Sequence, residues 1–193
     1  ETTDLKATQS KYGATYFGEN GKWTKVITKL GDDFRETAET QRDMQIEEKN
    51  ATYEGKNGDW MRSYRNLDRN FAIQDATMFS RTLTLDNQTF RVNGQDLTGD
   101  ITYVIENYES DFIDHGTLDY SMQVETYGTS TDFGTGDWMF MYSDLGSGFS
   151  ITAETKYSLS LDEGRTTYGG EEGEWAKVYS DLSSNFRATG ATE

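Results

Sequence analysis

The sequence contains no cysteine and no proline, only one histidine, and far fewer basic than acidic residues. Without cysteine there are no disulfides, no thiolate metal sites and no cysteine nucleophile. The formal net charge of −16 argues against nucleic acid as a partner, because binding a phosphate backbone requires a concentrated positive face. Apolar runs all fall short of the length that crosses a bilayer. We therefore expect no nucleic-acid partner and no transmembrane helix.

Aromatic residues and glycines are abundant instead. The chain is 13% aromatic but only 34% hydrophobic, and 19 of its 193 residues are glycine. This composition is typical of strands with one solvated face, joined by tight turns, in which aromatic rings supply much of the buried area. No segment has helical periodicity over a useful length, so the sequence predicts an all-β fold.

A repeated pattern of glycine, tryptophan, leucine and phenylalanine runs through the chain. In each copy Gly lies two residues before Trp, Leu seven after it and Phe eleven after it. The Trp positions are 37, 41, 37 and 37 residues apart, a period that indicates a repeat architecture. The third copy keeps the spacings but has Ile and Tyr in place of Trp and Leu. The predicted packing anchors are Trp23, Leu30, Phe34, Trp60, Leu67, Phe71, Ile101, Tyr108, Phe112, Trp138, Leu145, Phe149, Trp175, Leu182 and Phe186.

Three antiparallel strands are predicted for each repeat, the third of them long. After each anchor Phe, apolar and polar residues alternate, as in residues 149–161, which indicates a half-buried strand. A polar turn such as 47–50 is predicted to end this strand. An Asn-Gly pair such as Asn20-Gly21 then predicts a hairpin turn.

The two ends of the chain are predicted to be halves of one split repeat. Joining the ends would place Trp23 thirty residues after Phe186, the same spacing as from Phe71 to Ile101. The halves can pair within one molecule, closing a barrel or a propeller-like ring, or between molecules as a β-sheet array. The predicted fold is one repeat domain over residues 1–193. It contains five tandem antiparallel β-meander repeats of 37–41 residues with a split terminal repeat.

The tryptophans have two interpretations. Their flat faces suit the apolar side of a sugar ring, and repeated sites would give avidity. Alternatively, each Trp anchors the packing of its own repeat. The fixed spacing to Leu and Phe favours packing, and so does Ile101, which preserves packing but stacks poorly on a sugar.

Acidic residues precede the anchor in four copies, at Asp59, Asp100, Asp137 and Glu174. Carboxylate and carbonyl oxygens near glycine-rich turns are ligands that Ca²⁺ accepts. No stretch matches an EF-hand or a calcium-binding β-roll, so solvated turn carboxylates are the favoured interpretation. We expect no cofactor, with weak Ca²⁺ binding left open and any metal site unknown.

No catalytic constellation stands out in the sequence. The only histidine, His115, is assigned to the polar positions of a long strand, and there is no nucleophile-elbow motif. The 34 acidic residues offer many carboxylate pairs, and none is distinguished from the repeat. We therefore expect no catalytic residues and no enzymatic activity.

One local resemblance is carried by Gly136-Asp137-Trp138 and by the following segment to Ala153. It resembles the first hairpin of avidin-type biotin binders, over a short part of the chain only. The rest of that family's pattern is missing, and avidins do not repeat this hairpin five times. The resemblance implies convergence on one kind of meander and no biotin site.

The location and the function are also predicted. The first residue, Glu1, is not Met, which indicates a removed leader, and the sequons at Asn50 and Asn87 are candidate glycosylation sites. We expect an extracellular or cell-surface location.

The predicted function is a structural protein that self-assembles into a filament, sheath or surface layer through β-strand pairing between copies. The alternative is a closed repeat lectin that binds cell-surface glycans through repeated Trp and Tyr sites.

Overall fold

Ten antiparallel strands form one open sheet in the computed structural model, which describes residues 5–193. The all-β prediction is confirmed. The strands lie side by side in chain order, and residues 5–193 contain no helix long and apolar enough to cross a membrane. The strands are β1 (Leu5–Tyr16), β2 (Glu19–Leu30), β3 (Gln41–Tyr53), β4 (Lys56–Arg65), β5 (Met78–Val92), β6 (Gln95–Tyr108), β7 (Asp119–Thr131), β8 (Gly134–Leu145), β9 (Lys156–Tyr168) and β10 (Glu171–Tyr179).

Each repeat is a two-stranded hairpin followed by a loop, rather than three strands. An odd-numbered strand, an even-numbered strand and a loop make up one unit, and this arrangement is consistent with five repeats. Each unit begins with its odd-numbered strand. The first described unit, β1 and β2 with the loop after them, is therefore of the same kind as the last, β9 and β10 with the loop after them. The open sheet corresponds to the predicted array rather than to the ring-closed alternatives.

The long strand of each repeat begins later than its alternation predicts. In the fourth copy Ser147–Phe149 forms a 3₁₀ turn, and β9 begins only at Lys156. The physical reason is the backbone of the anchor Phe, which has a left-handed φ of 55–59° in all five copies. A left-handed residue redirects the chain and does not continue a strand. The first half of the alternating segment is therefore loop, and its second half is the beginning of the strand.

The hairpin turns also lie elsewhere than predicted. Asn20-Gly21 is inside β2, and the turn before it is Phe17-Gly18, with φ of 49° and 78°. Two successive left-handed residues are what a type I′ hairpin turn requires. The predicted turn at residues 47–50 is instead part of continuous strand β3. The third hairpin is longer, with strands of 15 and 14 residues, which accounts for the 41-residue interval.

The described chain packs as two compact units. The first contains the residues up to Leu83 together with Ile105–Leu118, and the second contains Thr84–Val104 and Asp119–Glu193. Each unit has its own aromatic and aliphatic core. Buried core residues of the first include Trp23, Met44, Trp60 and Tyr64, and those of the second include Trp138, Phe140, Leu159 and Phe186.

Candidate functional site at the two edges of the sheet

Three of the anchor tryptophans are closed to solvent. Trp23 and Trp60 are each 1% exposed and Trp138 is 0% exposed, whereas Trp175 on the last strand is half-buried. Tyrosine rings close two of the sites edge-on, at 5.5 Å from Trp23 and 5.4 Å from Trp60. Because sugar stacking needs an open aromatic face, the three buried rings are unsuited to it. Their burial supports the packing interpretation.

The other anchors divide into two groups by their exposure. The five Leu or Tyr anchors are all buried, and so is Ile101. The five Phe anchors differ: Phe186 is 2% exposed and Phe112 is 9% exposed, but Phe34 is 58% exposed. Phe71 and Phe149 are intermediate. The position of the repeat in the sheet therefore decides whether its Phe is covered.

Three of the Phe anchors pack onto strands of the sheet from the loop that follows their own hairpin. The Phe112 ring centre is 5.1 Å from that of Tyr64 on β4 and 5.4 Å from that of Phe79 on β5. Phe149 contacts β6 and β7 in the same way, and Phe186 contacts β8 and β9. Each of these three rings thus covers the seam between the previous hairpin and its own. Phe34 belongs to the first hairpin, and no described strand precedes β1.

The two edge strands carry opposite net charge. β1 contains Lys6 and Lys11 and no acidic residue. β10 contains Glu171, Glu172 and Glu174 but only one lysine. In the described sheet each of these strands pairs with a single neighbour, β2 or β9. The backbone groups on their outer sides are therefore available to another strand.

The carboxylates that precede the anchors stabilise bulges of the preceding strand. In three hairpins the Asp accepts a hydrogen bond from the backbone N–H of a left-handed residue. The donor and acceptor residues are Asn50 and Asp59 at 3.1 Å, Asn87 and Asp100 at 2.9 Å, and Gly128 and Asp137 at 2.9 Å. A hydrogen bond from the Lys49 ammonium, followed by that from Asn50, lowers the pKa of Asp59. These three carboxylates thus have a structural role.

Glu174 lies on the exposed side of edge strand β10. Within residues 5–193 no group of three or more acidic or histidine side chains is placed to hold a metal ion. Weak Ca²⁺ binding stays a prediction.

Both sequon asparagines are exposed and lie at these bulges. Asn50 and Asn87 have φ of 51° and 52°. Gly13 and Gly128 take the equivalent position in other hairpins, with φ of 62° and 58°. Asn tolerates the left-handed region better than other non-glycine residues, so bulge geometry accounts for both asparagines. Glycosylation there stays a prediction.

His115 lies in the loop between β6 and β7, not in a strand as the alternation suggested. Its Nε2 is 3.3 Å from both carboxylate oxygens of Asp111. A backbone hydrogen bond from Ile113, with a smaller contribution from His115, lowers the pKa of Asp111. Left-handed Phe112 in the same loop explains why the strand does not extend this far. This is an exposed pair on a loop.

Sequence reasoning missed a buried ionic cluster in the first compact unit. Arg81 is buried, the Arg62 and Glu48 side chains are each 12% exposed, and Glu48 accepts hydrogen bonds from both guanidinium groups. The Arg81 guanidinium also lies 3.9 Å from the ring centre of Tyr53. Arg62 and Arg81 face each other across β4 and β5, and the corresponding pair between β8 and β9 is apolar, Phe140 with Leu159. The Arg62 guanidinium also donates to the Glu19 carboxylate, so two carboxylates face two guanidinium groups, which makes the cluster a packing feature.

The second unit has an open acidic groove of about 450 Å³. Its walls include Glu125, Asp137, Asp162 and Glu163, with Tyr127 at its side. Glu125 is the main cause of a raised pKa at the Tyr127 phenol. The groove disfavours anionic ligands.

Comparisons of the chain with protein-family models, with curated proteins and with solved structures find no match.

Proposed function

We propose that this chain is a non-enzymatic structural subunit of the cell exterior that assembles edge to edge. In the assembly β10 of one copy pairs with β1 of the next, and repetition gives a filament, sheath or surface layer. The observation that carries the proposal is the open sheet of repeats, whose first and last strands can meet in the way that neighbouring repeats already do inside the chain.

The internal seams give the register of such a junction. Where an even-numbered strand meets the next odd-numbered one, three seams share one pairing: Trp23 with Ile46, Trp60 with Leu83, and Trp138 with Leu161. Ile46 and Leu161 each lie fourteen residues before the Trp of their own repeat. The equivalent residue of β1 is Gln9. The expected pairs are Trp175 with Gln9, Lys177 with Ala7, and Tyr179 with Leu5 of the next copy.

Charge favours this junction over its alternatives. Two copies of β1 would bring lysines together, and two copies of β10 would bring glutamates together. Pairing of β10 with β1 instead places the acidic strand beside the basic one. It is therefore the one pairing of the two edge strands that avoids like-charge repulsion. A contact between two different edges is heterologous, so it propagates unless the rotation closes a ring.

The repeat glycines support the same junction. A side chain at Gly21 would meet Ile46 at 2.7 Å, and one at Gly136 would meet Leu161 at 2.6 Å. At Gly173 on β10 the nearest atom is 3.6 Å away, in its own repeat. The glycine spacing is thus kept at an edge where no described strand requires it. A β1 strand from the next copy would supply Gln9 at this place.

Cysteine cross-linking tests the proposal, since the native chain has no cysteine. In the double variant Ala7→Cys/Lys177→Cys the two thiols of neighbouring copies should face each other within disulfide range. Mild oxidation is expected to give a ladder of covalent multimers on a denaturing gel. The matched control Thr8→Cys/Lys177→Cys is one residue out of register, which turns the first thiol to the other face. Protein that stays monomeric in sedimentation at high concentration and gives no ladder would overturn the proposal.

The lectin alternative receives less support. It relied on a closed ring and on open Trp faces, whereas the sheet is open and three of the tryptophans are buried. A glycan array probed with the same preparation separates the two functions. Glycan binding by a strictly monomeric protein would favour the lectin. Labelling of intact source cells with an antibody tests the proposed location.

A further inference from the structure

The first compact unit contains a complete aromatic cluster around one tyrosine. Tyr64 on β4 is 3% exposed. The rings of Phe17 and Trp23 approach it from the preceding hairpin, at 4.9 and 5.7 Å. Phe79 of the next strand and Phe112 of the next loop approach it at 5.6 and 5.1 Å. A fully covered tyrosine of this kind therefore needs a hairpin before it and a hairpin with its loop after it.

Tyr179 on β10 takes the same place in its own repeat, four residues after the Trp. The preceding hairpin again supplies two rings: Phe133 stacks on Tyr179 at 4.1 Å, and Trp138 lies 6.0 Å away. No described strand follows β10 on the other side, and Tyr179 is only partly buried. One half of the Tyr64 cluster is thus reproduced here.

The first hairpin carries the residues that would form the other half. In the expected register Leu5 pairs with Tyr179 as Phe79 pairs with Tyr64. Phe34 follows Trp23 at the same interval as Phe112 follows Ile101. Phe34 is nevertheless 58% exposed, whereas Phe112 is 9% exposed. Among the described strands, Phe34 has no preceding seam to cover.

The loop that presents Phe34 already has the conformation of its buried counterparts. Phe34 has a φ of 57°, as Phe186 does. The Gly31 N–H donates to the Arg35 carbonyl at 2.8 Å, and Gly146 closes the fourth loop onto Ser150 at the same distance. Little conformational entropy would be lost on docking, because the loop does not have to fold first.

We propose that Phe34 of one copy docks against Tyr179 of the preceding copy and covers the junction between β10 and β1. The inference rests on the proposed edge-to-edge assembly and names the contact that closes it. The docked ring would complete, across two molecules, the cluster that Tyr64 forms within one. Phe34 and Tyr179 are then the main apolar contact of the interface.

Phe34→Ala tests this contact, because an exposed side chain contributes little to the fold of the single copy. We expect an unchanged unfolding midpoint and a critical concentration for assembly that is higher by about 10- to 100-fold, since one Phe side chain is no longer buried. The matched control is Ile151→Ala, an exposed apolar residue of an internal loop that lies outside both edges. It should change neither quantity.

A double-mutant cycle localises the contact. Tyr179→Ala should raise the critical concentration as well, and the double variant should be no worse than the poorer single variant if the two rings touch. Additive effects would mean that Phe34 acts elsewhere, and an unchanged critical concentration in Phe34→Ala would overturn the inference directly.

The cross-linking pair distinguishes failure of this inference from failure of the proposed function. If Ala7→Cys/Lys177→Cys forms its ladder equally well with and without Phe34→Ala, the edge pairing stands and the Phe34 contact is wrong. If the ladder is absent even with native Phe34 and the protein stays monomeric, both are wrong. A ladder that Phe34→Ala shifts to higher protein concentration supports both.

Discussion

Replacement of Trp138 by alanine measures how much one repeat anchor contributes to the fold. The indole is 0% exposed. Burying a ring of this size removes roughly 200 Å² from water, which at about 25 cal/mol/Å² is about 5 kcal/mol. Measured losses for Trp→Ala in cores are about 3–5 kcal/mol, and the cavity contributes to them. We therefore expect Trp138→Ala to lower the free energy of unfolding by about 3–5 kcal/mol.

Trp175→Ala is the matched control, since this Trp has the same place in its repeat but lies half-buried on the edge strand. Its loss should be smaller than that of Trp138→Ala, because part of the Trp175 indole is already in water. Guanidinium unfolding of the two variants and the native chain, followed by circular dichroism, gives the comparison. Equal losses at the two positions, or an unchanged midpoint in Trp138→Ala together with loss of glycan binding, would refute the packing role.

Four further outcomes are expected. Gly99→Ala should prevent folding or strongly destabilise the folded chain, because the new Cβ would lie 2.0 Å from a backbone oxygen of β7. Gly173→Ala should leave the stability of the monomer unchanged, because the nearest atom to its Cβ is 3.6 Å away. Equal effects of the two substitutions would contradict the seam geometry. Asp137→Ala should lower the free energy of unfolding by on the order of 1 kcal/mol, because one hydrogen bond is lost. The variant should respond to Ca²⁺ as the native chain does. If Ca²⁺ raises the melting temperature of the native chain but not of this variant, a metal site is favoured instead. The folded-state pKa of Asp59 is lowered from 3.8, so its stabilisation is present above that value and is lost as the pH falls below it. In an acid titration Asp59→Asn should therefore lose less stability than the native chain, and an equal or steeper loss would contradict this. Burial raises the pKa of Tyr142 to about 12, so the free energy of unfolding should fall between pH 10 and 12 as the phenol ionises. Tyr142→Phe should flatten this fall. Tyrosinate absorbance follows the unfolding.

The repeat and the strand class are readable from sequence because they depend on spacing. The position of each strand is not readable, since the loop after Phe149 alternates apolar and polar residues just as a strand does. The left-handed backbone at the anchor Phe is what converts this segment to a loop, and Phe is an unusual residue there. The bulges at Asn50 and Gly128 use residues that favour a left-handed backbone, so their positions can be predicted from the sequence.

The candidate site shows a second limit of sequence reasoning. Phe34 and Phe186 have identical spacing to their own Trp and Leu, yet one is exposed and the other is buried. Only the order of strands in the sheet separates them. Likewise, the repeat pattern says nothing about Arg62 and Arg81, and only the folded chain shows that Glu48 lies between them.

Amide hydrogen exchange of the two edge strands, measured in dilute and in concentrated protein, tests edge-to-edge assembly most directly. Copies joined through β10 and β1 should protect the outward backbone N–H groups of residues 5–11 and 173–179 at high concentration, with little change in β3–β8. Exchange at both edges that stays fast at every concentration, or new protection confined to other strands, would contradict the assembly.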